Sequence, residues 1–280
     1  MKQTVVYGPE DSLKKGYLPI FLEILEELRE SRWLIWQLFK RDFSIMYKQT
    51  FLGIFWPFIL PIFSIGTFVI LNHSGLFLLG PMNVPYPIYA VLGMVFWQLF
   101  STGLLTTSQS LVLADQMLTK IYFSKKSLVI ASFGRIFPPF IIHMTVICIL
   151  LAFYKIKLSL TILYIPLVLI PLLLLTLGLG FILSLMQSIS RDVGNILPMF
   201  LTFLMFLTPV LYVAPTDGLL TRIAKMNPVY YFIETARDLV LTGTIHQLGG
   251  FIISTVISVG IFIGCLLIFH LAETRIVERI

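Results

Sequence analysis

Long runs of apolar residues alternate with short polar segments over most of this chain of 280 residues. A helix that crosses the hydrocarbon core of a bilayer, about 30 Å thick, needs about 20 mainly apolar residues. Six runs of suitable length predict spans over residues 51–71, 84–108, 128–153, 164–186, 195–213 and 249–271. The pattern therefore predicts an all-α integral membrane protein with one domain of about six transmembrane helices, followed by a tail over 272–280.

The stretch before the first run has the pattern of an amphipathic helix. Its apolar positions, at helical spacing, are Leu18, Phe21, Leu22, Leu25 and Leu28, and the opposite positions are Glu23, Glu26, Glu27 and Glu30. Trp33, Trp36, Lys40 and Arg41 follow, a mixture typical of the membrane–water boundary. We expect residues 1–50 to contain an interfacial helix that turns into the first span. A solvated helix packed on a partner protein is the alternative.

Two connections between spans have a pattern of their own. Residues 115–127, DQMLTKIYFSKKS, mix polar and apolar residues as a short interfacial helix does. Residues 214–248 are too long for a turn, and apolar residues recur at helical spacing after Pro228. That helix is too polar to span a bilayer and too apolar to lie free in water. It predicts a partly re-entrant or interfacial hairpin.

Composition and charge agree with a lipid environment and orient the spans. Hydrophobic residues make up 58% and charged residues 12% of the chain, with mean hydropathy +0.93, whereas a soluble domain has about 45–50% and about 25%. With the N-terminus inside, cytoplasmic segments hold fourteen of the twenty Lys and Arg residues and outer segments five. Because cytoplasmic loops are rich in these residues, both termini are expected in the cytoplasm. The first 17 residues, with Glu10 and Lys14 among them, have no secretory signal, and cations set between apolar runs do not indicate nucleic-acid binding.

The chain contains no motif of a catalytic or nucleotide-binding site. It has no G-x-x-x-x-G-K-[ST] phosphate loop, no H-E-x-x-H zinc motif and no G-x-S-x-G nucleophile turn. The four histidines are scattered, and Cys148 and Cys265 lie within apolar runs as small hydrophobic residues would. We therefore expect no catalytic residue, metal or cofactor on this chain. If ATP drives the protein, the ATPase is another polypeptide.

Polar and aromatic residues within the spans are the remaining candidates. Arg135 lies near the inner boundary, where its side chain can reach water, and His143 can stay neutral with one hydrogen bond; a proton relay is the alternative. Aromatic residues share one face of the first span at Tyr47, Phe51, Phe55 and Phe58, and recur on the fifth at Phe200, Phe203 and Phe206. Such faces could stack on sugar rings along a path; ordinary lipid contact or helix packing is the alternative.

Several motifs together resemble those of ABC-2 permease subunits. Residues 38–63 resemble the family signature R-D-x-x-x-x-Y-x-x-S-x-L-G-x-x-W-x-x-x-x-P, with matches at Arg41, Asp42, Tyr47, Leu52, Gly53, Trp56 and Pro61, and Thr50 where serine is common. VPYPIYAVLGMVFWQLF from Val84 resembles the second span. Residues around the fifth span and in the outer segment also resemble motifs of the family: Arg191, Asp192, Asn195, Thr208, Pro209, Val210, Tyr212, Asn227, Pro228 and Arg237.

The resemblance implies the transmembrane domain of an ABC-2 (type V-like) exporter in the cytoplasmic membrane. It implies a homodimer of this chain with two copies of a separate ATP-binding cassette subunit, which carries ATP and Mg. Within the family the likeness points to permeases that export lipid-linked polysaccharide, such as O-antigen, capsule or teichoic acid. The N-terminal helix then fits a gate where that substrate enters. An ABC-2 exporter of a small hydrophobic compound is the first alternative, and a membrane enzyme or assembly scaffold is the second.

Three groups of residues are the expected functional ones. Coupling to the ATPase is assigned by resemblance to Asp115, Gln116, Lys120, Lys125 and Lys126, and an outer gate to Asn227, Pro228, Tyr230, Tyr231, Glu234 and Arg237. We expect the aromatic residues of the first and fifth spans to line the path: Tyr47, Phe51, Phe55, Trp56, Phe58, Phe200, Phe203, Phe206 and Tyr212.

Overall fold

The computed structural model describes residues 17–48, 84–114, 124–156, 160–213 and 218–276, and within the first apolar run residues 55–56, 59, 62–63, 66–67 and 69–70. All regular structure in these ranges is helical. Most of the predicted first span, 51–71, therefore lies outside the described residues, as does most of the connection 115–127. The prediction of an all-α membrane protein is confirmed for the part of the chain that the structure describes.

The helices follow the apolar pattern closely. In chain order they are α1 Tyr17–Glu30, α2 Arg32–Lys48, α3 Tyr86–Ser108, α4 Ser110–Leu113, α5 Lys125–Gly134, α6 Phe137–Phe153, a 3₁₀ turn Leu160–Tyr164, α7 Ile165–Ile189, α8 Asp192–Leu207, α9 Leu219–Met226, α10 Pro228–Leu241 and α11 Leu248–Ile276. Within the described ranges, four segments are long and apolar enough to cross a membrane: α3, α5 with α6, the 3₁₀ turn with α7, and α11. The shorter apolar helix α8 accompanies them.

Helix α3 is the centre of the molecule. It packs against α5, α6, α7, α8 and α10. In the most apolar stretch of α3, 72% is buried inside the chain, compared with 22% in that of α11. Helix α7 lies between α3 and α11 and contacts both. At Gly178 an added Cβ would lie 2.7 Å from the Cα of Phe262. Small residues thus let α7 and α11 approach closely, as is common between helices in membranes.

Helices α1 and α2 close a second, smaller core at the end of the molecule where α3 ends. Ile20 and Ile24 of α1 and Leu38 of α2 are buried in it. Of the predicted apolar positions, Phe21 and Leu28 are partly buried against this core, whereas Leu22 and Leu25 are exposed. A helix laid on the body of its own chain buries only a narrow stripe, so the other leucines stay uncovered. The prediction of an interfacial helix over this stretch agrees with that uncovered face.

Prolines break two of the predicted spans. The helical hydrogen bonding of span three is interrupted at Arg135 and Ile136, between α5 and α6, because Pro138 and Pro139 in the first turn of α6 cannot donate backbone hydrogen bonds to the preceding turn. The predicted span 195–213 ends early, at Leu207. Thr208 is extended and Pro209 cannot continue the helix.

The predicted hairpin over 214–248 consists of the two helices α9 and α10, which meet at Asn227, while residues 214–217 lie outside the described part. Helix α10 packs against α3, α7 and α11. Its Phe232, Ile233 and Ala236 belong to the same core as the first half of α3. A helix of 14 residues is too short to cross a bilayer, so α10 is a helix inserted among the spans at one end.

Candidate functional site

Arg237 of α10 is the centre of one buried ionic cluster. Its side chain is 2% exposed and forms an ion pair with Glu234 at 2.6 Å. Nη1 also donates to the Tyr89 hydroxyl at 2.8 Å and to the Pro209 carbonyl at 3.0 Å, and Nη2 donates to the Val210 carbonyl. The guanidinium carbon lies 3.7 Å from the centroid of the Tyr89 ring, a cation–π arrangement. These five residues are called the Arg237 cluster below.

The end of α8 explains why an arginine is needed there. A helix leaves its last carbonyls without an intrahelical partner, and the extended backbone after Leu207 offers no donor for Pro209 or Val210. The planar guanidinium donates to both carbonyls at once. The cluster therefore holds the broken end of α8 onto α3 and α10.

Asn227 joins the same two segments through Thr208, the residue before Pro209. Its Oδ1 accepts from the Val229 amide at 3.0 Å, which caps α10, and Pro228 takes the first position of that helix. Its Nδ2 donates to the Thr208 hydroxyl at 2.7 Å. The motif around Thr208 and the motif that contains Asn227 and Arg237, noted separately in the sequence, thus form one hydrogen-bonded unit.

Gly93 of α3 leaves the space that the Arg237 guanidinium occupies. A Cβ at this position would overlap Nη2 of Arg237 and the carbonyl oxygen of Val210. Only glycine lets the end of α8 and the guanidinium approach the α3 backbone this closely. Gly93 is therefore part of the site although it carries no functional group.

Lys126 of α5 is the centre of a second ionic cluster. Its Nζ lies 2.6 Å from Glu27 Oε2 of α1 and 2.7 Å from Glu273 Oε2 of α11. The Lys125 amide donates to Glu273 Oε1 at 2.5 Å. The Lys126 side chain is 2% exposed, Glu273 13% and Glu27 33%. Glu27, Lys126 and Glu273 are called the Lys126 cluster below.

The electrostatics of the Lys126 cluster favour ionised carboxylates. Burial alone would raise the pKa of Glu27, but the charge and the hydrogen bond of Lys126 outweigh it, so this pKa lies below its usual value. The Lys125 ammonium also attracts Glu273, and Glu27 is a third exposed to solvent, so both carboxylates can stay ionised beside Lys126.

The two clusters lie at opposite ends of the helices. Helix α11 begins beside α10, where Gly250 lies against the Tyr231 ring, and ends in the Lys126 cluster at Glu273. From Gly250 to Glu273 the helix rises about 35 Å, slightly more than the hydrocarbon thickness of about 30 Å. Charged groups are thus held near the two boundaries of the membrane, where the free-energy cost of removing them from water is smallest.

An uncovered aromatic face runs along α8. Ile196, Met199, Phe200, Phe203 and Phe206 are exposed, and Leu197 and Leu201 face the core. Tyr212, just beyond α8, is half-buried, and its hydroxyl donates to the Phe206 carbonyl at 2.9 Å. Phe55 and Trp56 of the first run are exposed as well. The predicted path residues that the structure describes therefore remain uncovered by this chain, apart from Tyr212.

Other predicted path and coupling residues fall outside the described part of the chain. These are Phe51, Phe58, Asp115, Gln116 and Lys120, while only the backbone of Tyr47 is described, at the end of α2. Of the predicted coupling residues, the structure describes Lys125 and Lys126. They form the first turn of α5 and are buried against Glu27 and Glu273 of the same chain. Partners distant in sequence draw them inward.

The predicted outer-gate residues all lie in α10 or at its start. Glu234 and Arg237 belong to the Arg237 cluster, and Tyr230 accepts a hydrogen bond from Gln247 at 3.0 Å. Tyr231 stacks edge-on against Tyr230, with ring centroids 5.1 Å apart. Sequence reasoning missed Tyr89, Gly93 and the pairing of Glu27 and Glu273 with Lys126. The Tyr-Pro pair at the start of α3 lies three residues before Tyr89, whereas no local signal marks Glu273.

Comparison with known families agrees with this architecture. The family model described as ABC-2 type transporter matches residues 34–241. The fold, with several apolar spans and a helix inserted among them, is that of a multi-pass membrane permease. The chain belongs to the ABC-2 type transporter family. The matched segment contains the whole Arg237 cluster but neither Glu27 nor Glu273 of the Lys126 cluster.

Three similar proteins are each named O-antigen export system permease protein RfbA. The one from Myxococcus xanthus is 26% identical over 212 residues, covering 74% of this chain and 80% of its own length. Two from Klebsiella pneumoniae are 23% and 22% identical, covering 74% and 79% of this chain and 79% and 88% of their own lengths. The sequence-based assignment to ABC-2 permeases is confirmed.

Proposed function

We propose that this chain is the channel-forming subunit of an ATP-driven exporter that moves lipid-linked polysaccharide of the O-antigen class across the cytoplasmic membrane. Two copies of the chain would assemble with two copies of a separate ATP-binding subunit, which holds ATP and Mg. Both termini would lie in the cytoplasm. The observation that carries the proposal is the likeness to O-antigen export permeases over about three quarters of the chain.

The uncovered aromatic face of α8 supports a sugar path. Phe200, Phe203 and Phe206 are 55–62% exposed, although α8 packs on α3 and α7 through its other side. Sugar rings present apolar C–H faces that stack on aromatic rings, and the hydroxyls at their edges stay hydrated. Two such faces, one from each copy, would bound a path for a glycan whose lipid anchor remains in the bilayer.

The test replaces the three phenylalanines with alanine and follows polysaccharide at the cell surface. Loss of three stacking contacts of about 0.5 kcal/mol each lowers export about tenfold. The matched control replaces Ile196 and Met199, exposed aliphatic residues of the same helix, with alanine. It should lower export less than about twofold, because stacking is unaffected. Purified complexes of both variants should hydrolyse ATP alike.

Deletion of the chain separates the alternatives. If surface polysaccharide survives deletion while a hydrophobic dye is retained in the cell, the chain exports small apolar compounds. If no polypeptide with a phosphate-binding loop co-purifies with the chain, and neither export depends on ATP, a membrane enzyme or scaffold takes the place of the exporter.

A further inference from the structure

The Lys126 cluster has one carboxylate that is fixed and one that can leave. Glu273 accepts from both Lys126 Nζ and the Lys125 amide and is 13% exposed. Glu27 meets Lys126 from a separate helix, α1, and is 33% exposed. If Glu27 moves away, Lys126 keeps an ionised partner and Glu27 gains water. A buried ion pair normally resists opening because one charge is left without compensation. Here the second carboxylate removes that penalty.

Helix α1 packs on the rest of the chain along one side only. Its fully buried side chains are Ile20 and Ile24, while Leu22 and Leu25 face away from the chain. Among the described residues it packs mainly against α2 and α11, and Glu27 reaches α5 through Lys126. A helix held along one narrow side is attached more weakly than a spanning helix packed on several sides, so α1 can detach as a unit.

We propose that the Glu27–Lys126 ion pair is a releasable latch, and that Lys126 is the positioning residue that controls where α1 lies. Lys126 stands in the first turn of α5 and is one of the residues expected to couple to the ATP-binding subunit, so movement of the start of α5 reaches α1 through this contact. The consequence of release rests on the proposed function: in an exporter, release of α1 opens the cytoplasmic side of the path to the lipid-linked substrate. The latch itself is a property of the chain alone.

The experiment measures hydrogen exchange of the backbone amides of residues 17–30 in the purified full-length chain in lipid nanodiscs. Glu27→Gln should speed exchange about fivefold, the factor that corresponds to a partly exposed ion pair of about 1 kcal/mol. Glu273→Gln should slow it by a similar factor, because Lys126 then has no ionised partner when α1 leaves. The glutamine still accepts from the Lys125 amide. Glu26→Gln, an exposed change of the same charge on α1, is the control and should leave exchange unchanged.

The opposite signs distinguish a latch from a structural support. If Glu27→Gln and Glu273→Gln both speed exchange, the cluster only stabilises the fold and the proposal is overturned. It is overturned as well if Glu27→Gln behaves like the Glu26→Gln control.

A second measurement uses the complex with its ATP-binding subunit. ATP should speed exchange over residues 17–30, and Glu273→Gln should slow export while ATP hydrolysis continues. If ATP is hydrolysed and exchange stays the same, release of α1 is not part of the cycle and the proposal fails. If the nanodisc result has the expected signs but no ATP-binding subunit associates, the latch stands and the proposed function is the part that fails.

Discussion

The Arg237 cluster and the Lys126 cluster both bury a cation beside carboxylates, yet they are built from different partners. Arg237 donates to two backbone carbonyls and a phenol as well as to one carboxylate. Lys126 faces two carboxylates on two different helices. A planar guanidinium suits several fixed acceptors, and an ammonium is a compact charge that exchanges partners readily. The first cluster is therefore a permanent joint, and the second is suited to a contact that changes.

The two clusters also differ in what happens to the acceptors when the contact with the cation is lost. If Arg237 is removed, carbonyls at the broken end of α8 lose their donor in a site that water does not reach. If Glu27 leaves Lys126, a carboxylate that is already a third exposed becomes fully hydrated. Desolvated acceptors without a donor cost far more than solvated ones. Removing the cation should therefore destabilise the protein more at the Arg237 cluster than at the Lys126 cluster.

The largest effect is expected from Arg237→Met. It leaves Glu234 and the carbonyls of Pro209 and Val210 without their donor, which should lower the free energy of unfolding by about 3–5 kcal/mol. Thermal unfolding of the purified chain measures this loss. Arg222→Met, an exposed arginine on α9, is the matched control and should change stability by less than about 0.5 kcal/mol. Equal effects would show that the guanidinium bonds contribute little.

Gly93→Ala tests the same joint from the side of α3. The added methyl group overlaps the guanidinium and the Val210 carbonyl. The cluster must therefore shift, which should lower the free energy of unfolding by about 2–3 kcal/mol. Gly260 of α11 has open space around it. Gly260→Ala should therefore be neutral or slightly stabilising, because alanine favours a helix. The joint would be less rigid than described if both glycines tolerated alanine equally.

Lys126→Met should cost less than Arg237→Met, about 2 kcal/mol. The two carboxylates lose their cation, but Glu27 can turn to water and α1 can detach with it. Thermal unfolding should show the smaller shift, and limited proteolysis should cut α1 sooner than in the native chain. A loss as large as that of Arg237→Met would contradict the difference between the clusters.

Salt should give the smallest and most selective effect. Raising the salt concentration from about 0.1 M to about 1 M shortens the screening length from about 10 Å to about 3 Å. Amide exchange over α1 should then rise about twofold, because the Glu27 contact is partly exposed, while exchange over α10 should not change. Equal acceleration in both helices would mean that salt acts on the whole fold.

The helix boundaries could be predicted from local sequence only in part. The apolar run 84–108 predicts α3 almost to the residue, and Asn227 with Pro228 marks the start of α10. Pro138, Pro139 and Pro209 lie inside apolar runs that are long enough to span a membrane. Run length alone therefore predicts neither the interruption at Arg135 nor the early end at Leu207.

The Arg237 cluster was predicted only in part. Resemblance identified Asn227, Glu234 and Arg237 as one group, but not what they bind. Their acceptors include the backbone carbonyls of Pro209 and Val210 and the side chain of Tyr89, which lies 148 residues from Arg237. Backbone acceptors have no sequence signature, so only the packing of α10 against α3 and α8 could show them.

The sequence by itself determined the membrane environment, the helical class and the family, because apolar run length and motif spacing are properties of neighbouring residues. The tertiary structure alone decided which charges meet. Lys125 and Lys126 read as loop cations, yet Glu27 and Glu273, 99 and 147 residues away from Lys126, bury the second of them. Coulomb attraction depends on distance in space, and the helix packing that creates these distances cannot be read from adjacent positions in the chain.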